Sequence, residues 1–163
     1  MNIRELDWDD VAGITLRDAQ RAEIAERYGT SESEPGVPPS AADIAVFFVA
    51  FDDGAAIGCG GLRLIDGSEA EIKRMFVRPE NRGTGVSTAI LERLEEYGRE
   101  HGMVRLVLET GNRQPDAVRF YQRQGYARIP NFGHYVDSAI SLCFAKPLVA
   151  SDPAGDVACE GCE

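Results

Sequence analysis

The chain has 163 residues, enough for one domain with a sizeable core. Its composition is 44% hydrophobic and 27% charged, as in soluble folded proteins. Seventeen Lys and Arg against 27 Asp and Glu leave a formal charge of −10, which argues against a nucleic-acid binder or docking on anionic lipid.

The N-terminus, MNIRELDWDD, lacks a basic-then-apolar leader, so the expected compartment is the cytoplasm. Asn2 to Leu6 reads as a strand, and Asp10 to Tyr28 as a helix broken near Gly13 or Asp18. Residues 29–43, GTSESEPGVPPSAAD, hold three of the eight prolines and form a long loop, a kind that is usually functional or disordered. Ile44 to Phe51 is a strongly apolar strand and the longest apolar run, far short of the ~20 residues of a membrane span. Asp53-Gly54 is a hairpin signal, and Ala55 to Ile65 is the return strand. Asp66-Gly67 turns into a third strand, Glu69 to Val77, which completes an antiparallel meander.

The period then changes. Val86, Ile90, Leu94 and Tyr97 recur every three to four residues in an amphipathic helix that ends at Gly102. Met103 to Leu108 is a strand, and Pro115 opens a helix that runs through Tyr121 to Gly125. Tyr126–Ile129 and Ala139–Phe144 are further strands, with PNFGHYVDS between them. This order implies an α/β chain of the α+β kind, a mixed sheet flanked by helices. Pro147 onward carries four acids and no base, which leaves −6 on residues 1–146. The domain is expected at 1–146, with an acidic tail at 147–163. Cys59 and Cys143 lie in apolar segments as reduced core residues. Cys159 and Cys162 form a lone C-x-x-C, without the second pair that zinc would need, so no metal is expected.

The sharpest feature is the junction from Met75 to Ser87, where a strand feeds a Gly-rich turn that opens a helix. Helix N-termini offer unpaired amides and partial positive charge to phosphate, glycines allow close approach, and Arg82 adds a planar cation. A Walker loop would need Gly-Lys-Ser/Thr where Gly85 is followed by Val86-Ser87. A Rossmann fingerprint would need G-x-G-x-x-G after a first parallel strand, whereas no third glycine follows Gly85 at that spacing and the preceding strands form a meander.

Residues Val77 to Ser87 resemble the acyl-CoA loop of the GNAT superfamily of N-acetyltransferases, whose Gln/Arg-x-x-Gly-x-Gly/Ala pattern maps from Arg82 to Ser87. Ser87 replaces the usual final Gly or Ala. Ala117 to Tyr126 is similar to the family's Ala-x-x-Leu/Phe-Tyr-x-x-x-Gly-Phe/Tyr segment, with Gln114 where Asn is common and Asn112 nearby. The resemblance covers residues 1–146. It implies a GNAT fold: a mostly antiparallel mixed sheet of about seven strands and about four helices, with parallel strands 69–77 and 103–109 splaying apart. It implies acetyl-CoA as cosubstrate, with pantetheine along Met75, Phe76 and Val77, and pyrophosphate on the amides of Arg82, Gly83, Thr84, Gly85, Val86 and Ser87. Gln114 is a further candidate cofactor contact.

The reaction so implied is direct attack of a primary amine on the thioester through a tetrahedral intermediate. Tyr121 matches the family's general acid near the CoA sulfur, and Glu71 the strand glutamate that relays the proton; Glu109 or a water chain is the alternative base. His101 and His134 read as a helix-end cation and a surface loop residue. Glu32, Glu34 and Asp43 in loop 29–43 would favour a cationic amine at the pocket mouth, or are simply solvated. The expected partner is a small-molecule or peptide amine, and homodimers are common in the family. A catalytically silent acyl-CoA-binding or regulatory module is the alternative reading, and an unrelated nucleotide-binding domain is the third.

Overall fold

The computed structural model describes residues 1–148, so Cys159, Cys162 and most of the expected acidic tail lie outside the described residues. Seven strands form one sheet in the order β1-β2-β3-β4-β5-β7-β6. They are β1 (Asn2–Glu5), β2 (Ile44–Asp52), β3 (Ala55–Leu64), β4 (Glu69–Val77), β5 (Arg105–Gly111), β6 (Ala127–Ile129) and β7 (Ser141–Pro147). Three α-helices flank it, α1 (Val11–Tyr28), α2 (Val86–Glu100) and α3 (Pro115–Arg123). About four were expected; Pro79–Asn81 and Gly133–Tyr135 are instead single 3₁₀ turns.

The meander β2-β3-β4 is antiparallel, as its short turns require. Only β4 and β5 run parallel, paired from Glu69 opposite Arg105 to Ile72 opposite Leu108. Beyond that point β4 stays with β3 as far as Val77, and β5 stays with β7 as far as Gly111. The two parallel strands therefore part, and Lys73 and Glu109 are the first residues past the fork.

A bulge accompanies the fork. Lys73 lies opposite Gly61 and Phe76 opposite Cys59, so Arg74 and Met75 face the single residue Gly60. Arg74 takes φ 60°, the left-handed conformation that opens such a bulge. Gly60 makes room for it: a Cβ there would lie 2.4 Å from the Met75 sulfur.

The helices cover the two faces unequally. Ile90, Leu91 and Leu94 of α2 are fully buried against Val46, Phe48, Leu62 and Leu106, with Tyr121 of α3 in the same core. Each such aliphatic side chain contributes about 2 kcal/mol of burial. On the opposite face Leu16 of α1 packs on Phe47, Val49, Cys59 and Phe76. Helix α1 is unbroken, where an interruption near Gly13 or Asp18 was expected. Gly13 serves packing instead, because a Cβ there would meet the Phe47 ring at 2.5 Å. Asp10 caps the helix by accepting from the Ala12 amide at 2.9 Å. Cys59 and Cys143 are free and buried, and Leu148 is buried with its amide bonded to the Val104 carbonyl at 2.8 Å. Beyond α1, loops 29–43 and 131–138 meet over the fork, with Gly36 seated against the His134 ring.

Candidate active site

Two clefts run into the fork. The first, about 420 Å³, lies between the end of β4, the glycine loop, α3 and the flank of α1. Met75, Phe76, Val77, Arg82, Gly83, Gly85, Val86, Ser87 and Gln114 all line it. Thr84 does not; its hydroxyl turns back to donate to the Asn81 carbonyl at 2.6 Å. The second cleft, about 490 Å³, lies between α1, loop 29–43 and the diverging strands. Gln20, Ile24, Met75, Gln114, Ala117 and Tyr121 line both, so the clefts meet at Met75 and Tyr121.

The first cleft carries the features that hold a polyanion. Gly85 caps α2 at φ 89° with no side-chain cap, which leaves the first helical amides open. Arg27, Arg82 and Arg123 line the cleft against Glu23 and Asp116. The Arg82 guanidinium is held in place by the Val77 carbonyl at 2.9 Å and Glu23 at 2.7 Å. Arg27 reaches the same Glu23 at 3.4 Å. Gln20 donates to the Met75 carbonyl at 2.9 Å while its own oxygen is buried without a partner. Arg27, Arg123 and Gln20 carry no signal in the sequence, because only the packing of α1 and α3 across the sheet brings them to the loop.

At the junction, Tyr121 is 6% exposed and packed edge-on against Phe120 and Tyr126. Burial pushes its phenol well above the ordinary value, so it remains a proton-bearing donor throughout the physiological range.

The second cleft contains the titratable groups. Burial raises the Glu109 carboxyl to about 7; Ser141 and Lys73 act against that rise, while Glu34 and Glu71 add to it. Glu71 lies elsewhere. It is 4% exposed and lines neither cleft. The Tyr135 hydroxyl donates to it at 2.6 Å, and Lys73 and Arg63 stand 3.7 and 4.0 Å away. Burial and the facing Glu71 carboxylate push the Tyr135 phenol strongly upward. Glu34 comes down from the loop to accept from Lys73 at 2.5 Å and Arg74 at 2.6 Å. Burial alone would raise Glu34, but those two cations outweigh it and hold the carboxyl below its ordinary range. Asp43, a second loop acid, pairs with Arg63 at 3.1 Å. Tyr28 closes the far wall by accepting from the Arg113 amide at 3.0 Å over Gly111, where no Cβ would fit. His101 stacks on Tyr97 far from the clefts. Among the described residues no helix is long and apolar enough to cross a membrane.

Residues 8–126 match the model of the acetyltransferase (GNAT) family. An IAA acetyltransferase from Azospirillum brasilense is 40% identical over 103 residues, covering 63% of this chain and 67% of that protein. The chain spans 61% of the next relative, the Bacillus subtilis protein YdhI, at 35% identity. Among solved structures, a candidate acyl-CoA N-acyltransferase from Klebsiella pneumoniae superposes with a TM-score of 0.78 at 29% identity, covering 91% of this chain and 97% of that one. The PaiA N-acetyltransferase of Thermoplasma acidophilum, solved in complex with coenzyme A, shares the fold with a TM-score of 0.66 at 20% identity, covering 90% and 98%.

Proposed function

Because the chain belongs to the GNAT acetyltransferase family, we propose that it moves an acetyl group from acetyl-CoA to a primary amine, with Glu109 as the base and Tyr121 as the donor to sulfur. The observation that carries this reading is the meeting of an arginine-lined cleft and a carboxylate-bearing cleft at Tyr121, where the parallel strands part.

In this reading the glycine loop amides, Arg27, Arg82 and Arg123 hold the phosphates of acetyl-CoA, the cosubstrate that supplies the activated acetyl group. Met75 and Val77 offer backbone to the pantetheine arm, since each carbonyl keeps a second lone pair beside Gln20 and Arg82. The ammonium in the second cleft first gives one proton to Glu109, which passes it to solvent, and the neutral amine then attacks the thioester carbonyl to form the C–N bond of a tetrahedral intermediate. Glu109 takes the second N–H proton as the C–S bond breaks, and the leaving thiolate receives the Tyr121 hydrogen bond.

Proton energetics favour Glu109 in that role. A carboxyl near 7 matches neutral pH, where an ordinary glutamate near ~4.3 is a poor acceptor. Releasing a proton to Glu109 costs an alkyl ammonium of pKa ~10.4 about 4.6 kcal/mol, and a terminal α-ammonium near ~7.8 about 1 kcal/mol. Tyr121 acts by donation rather than by losing its proton. Even an unshifted phenol (~10) gives its proton to a thiolate (~8.5) uphill by about 2 kcal/mol, and burial steepens that slope. Glu71 positions Tyr135 and Lys73 at the floor of the same region.

The test is free-thiol release from acetyl-CoA across a panel of amines. Amine-dependent thiol release is expected. Acetyl-CoA binding with no release on any amine would favour an acyl-CoA-binding module.

A further inference from the structure

The second cleft divides its charges in an unusual way. Arg21, Lys73 and Arg74 face Glu34 and Glu109. The acids of loop 29–43 suggested a cationic acceptor, but Glu34 is engaged by two cations and Asp43 by Arg63. Both carboxylates are already neutralised by cations, and of the two acids lining the cleft Glu109 is the one without such a pair among the described residues.

The pairing at Glu34 is asymmetric. Lys73 and Arg74 belong to β4, and their side chains are 6% and 9% exposed. Glu34 comes from the proline-rich loop, and its side chain is still 33% exposed. The sheet therefore fixes the cations, while their carboxylate is supplied by the more replaceable partner. Arg74 commits one of its five N–H donors to Glu34, and among the described residues no other carboxylate pairs with it. An arginine fork at the wall of a cavity is suited to a carboxylate ligand. Ile24, Tyr28, Ile72 and Ile140 supply apolar wall in the same cleft.

On the premise that the site transfers acetyl groups to amines, we propose that Glu34 occupies the place of an acceptor carboxylate. The acceptor is an amino acid with an apolar side chain, its amine toward Glu109 and its carboxylate on Arg74 and Lys73. A ligand of this kind uses both charge groups at once, where a simple cationic amine leaves Lys73 and Arg74 to Glu34 and engages Glu109 alone.

The test compares leucine, leucinamide and 3-methylbutylamine as acceptors in thiol release from acetyl-CoA. Leucine is expected to show at least tenfold higher kcat/KM than either analogue, because they have no carboxylate to gain from the Arg74 and Lys73 donors. Arg74→Gln should collapse that ratio toward one. Glu34→Gln, which removes the competing carboxylate, should lower the KM for leucine severalfold, an effect opposite in sign to that of a damaged fold. Turnover of leucinamide or 3-methylbutylamine equal to that of leucine overturns the carboxylate site and leaves acetyl transfer standing. If acetyl-CoA binds and no amine releases thiol, acetyl transfer fails, and leucine is titrated calorimetrically into the CoA-loaded protein. Leucine binding that Arg74→Gln abolishes then upholds the carboxylate site, and absence of leucine binding overturns it.

Discussion

Two glutamates on opposite faces of the sheet, Glu95 buried and Glu109 half-buried, differ in ways that suit one to a structural role and the other to the proposed base. Glu95 of α2 is 6% exposed and accepts from the Tyr126 hydroxyl at 3.0 Å and from Lys146 at 3.0 and 3.1 Å, with Arg99 at 3.6 Å. Those contacts tie α2 to β7, and no cleft described above reaches the group. Glu109 is less deeply buried, borders the second cleft, and shares its surroundings with Glu34 and Glu71. The nearby cation, Lys73, is already engaged by Glu34 and stands close to Glu71. On the proposed mechanism, depth of burial is a poor guide to which carboxylate reacts. Access to a cavity and a shortage of uncommitted cations set Glu109 apart.

The contrast can be broken most severely at Glu109. Glu109→Gln is expected to lower kcat/KM by about 10²–10⁴, the range of a general base. It should also stabilise the fold at high pH. A carboxyl raised from 4.5 to about 7 binds its proton more tightly in the native state. The wild-type fold consequently loses stability as pH rises from about 4.5 through about 7, by an amount on the order of 3 kcal/mol. Melting curves at pH 8 should place Glu109→Gln several kelvin above wild type, and at pH 4.5 the two should nearly coincide.

Tyr121→Phe comes next. Turnover should fall about 10²-fold, the usual loss for one donor to developing charge, while calorimetry finds acetyl-CoA affinity nearly unchanged. Undiminished turnover would remove Tyr121 from the mechanism. Glu71→Gln sharpens the comparison between the two strand glutamates: its rate effect should be tenfold or less, well short of that at Glu109. A loss at Glu71 as large as that at Glu109 would return the base to Glu71. The smallest kinetic effect belongs to Glu95→Gln. Its rate should stay within about twofold of wild type, while denaturant unfolding detects a loss of about 2 kcal/mol from the charge-assisted contacts.

Much of the fold was legible because local signals agreed with one another. The Asp53-Gly54 turn, the apolar strands around it and the α2 periodicity each pointed to the same arrangement. Gly13 misled because its role is tertiary: it admits the Phe47 ring, and nothing local announces that. The glycine-loop side of the first cleft was legible for a similar reason, since those residues are contiguous from Met75 to Ser87, while Gln20, Arg27 and Arg123 on its other walls were not. The acceptor cleft was not. Glu71 and Glu109 are both strand glutamates, and only the descent of Tyr135 and Glu34 onto β4 distinguishes their surroundings. Those contacts bridge 64 and 39 residues of sequence. The loop acids looked open to a cationic amine for the same reason, because their arginine and lysine partners lie far along the chain.

The most direct test of Glu109 as the base is the ratio of wild-type to Glu109→Gln kcat/KM, followed with one amine from pH 5.5 to 8.5. Taking the ratio cancels the amine's own ionisation. Below about 7 the ratio should climb close to tenfold per pH unit, and above that it should level off, as Glu109 loses its proton and becomes competent. A ratio that stays flat across the whole range would contradict the assignment.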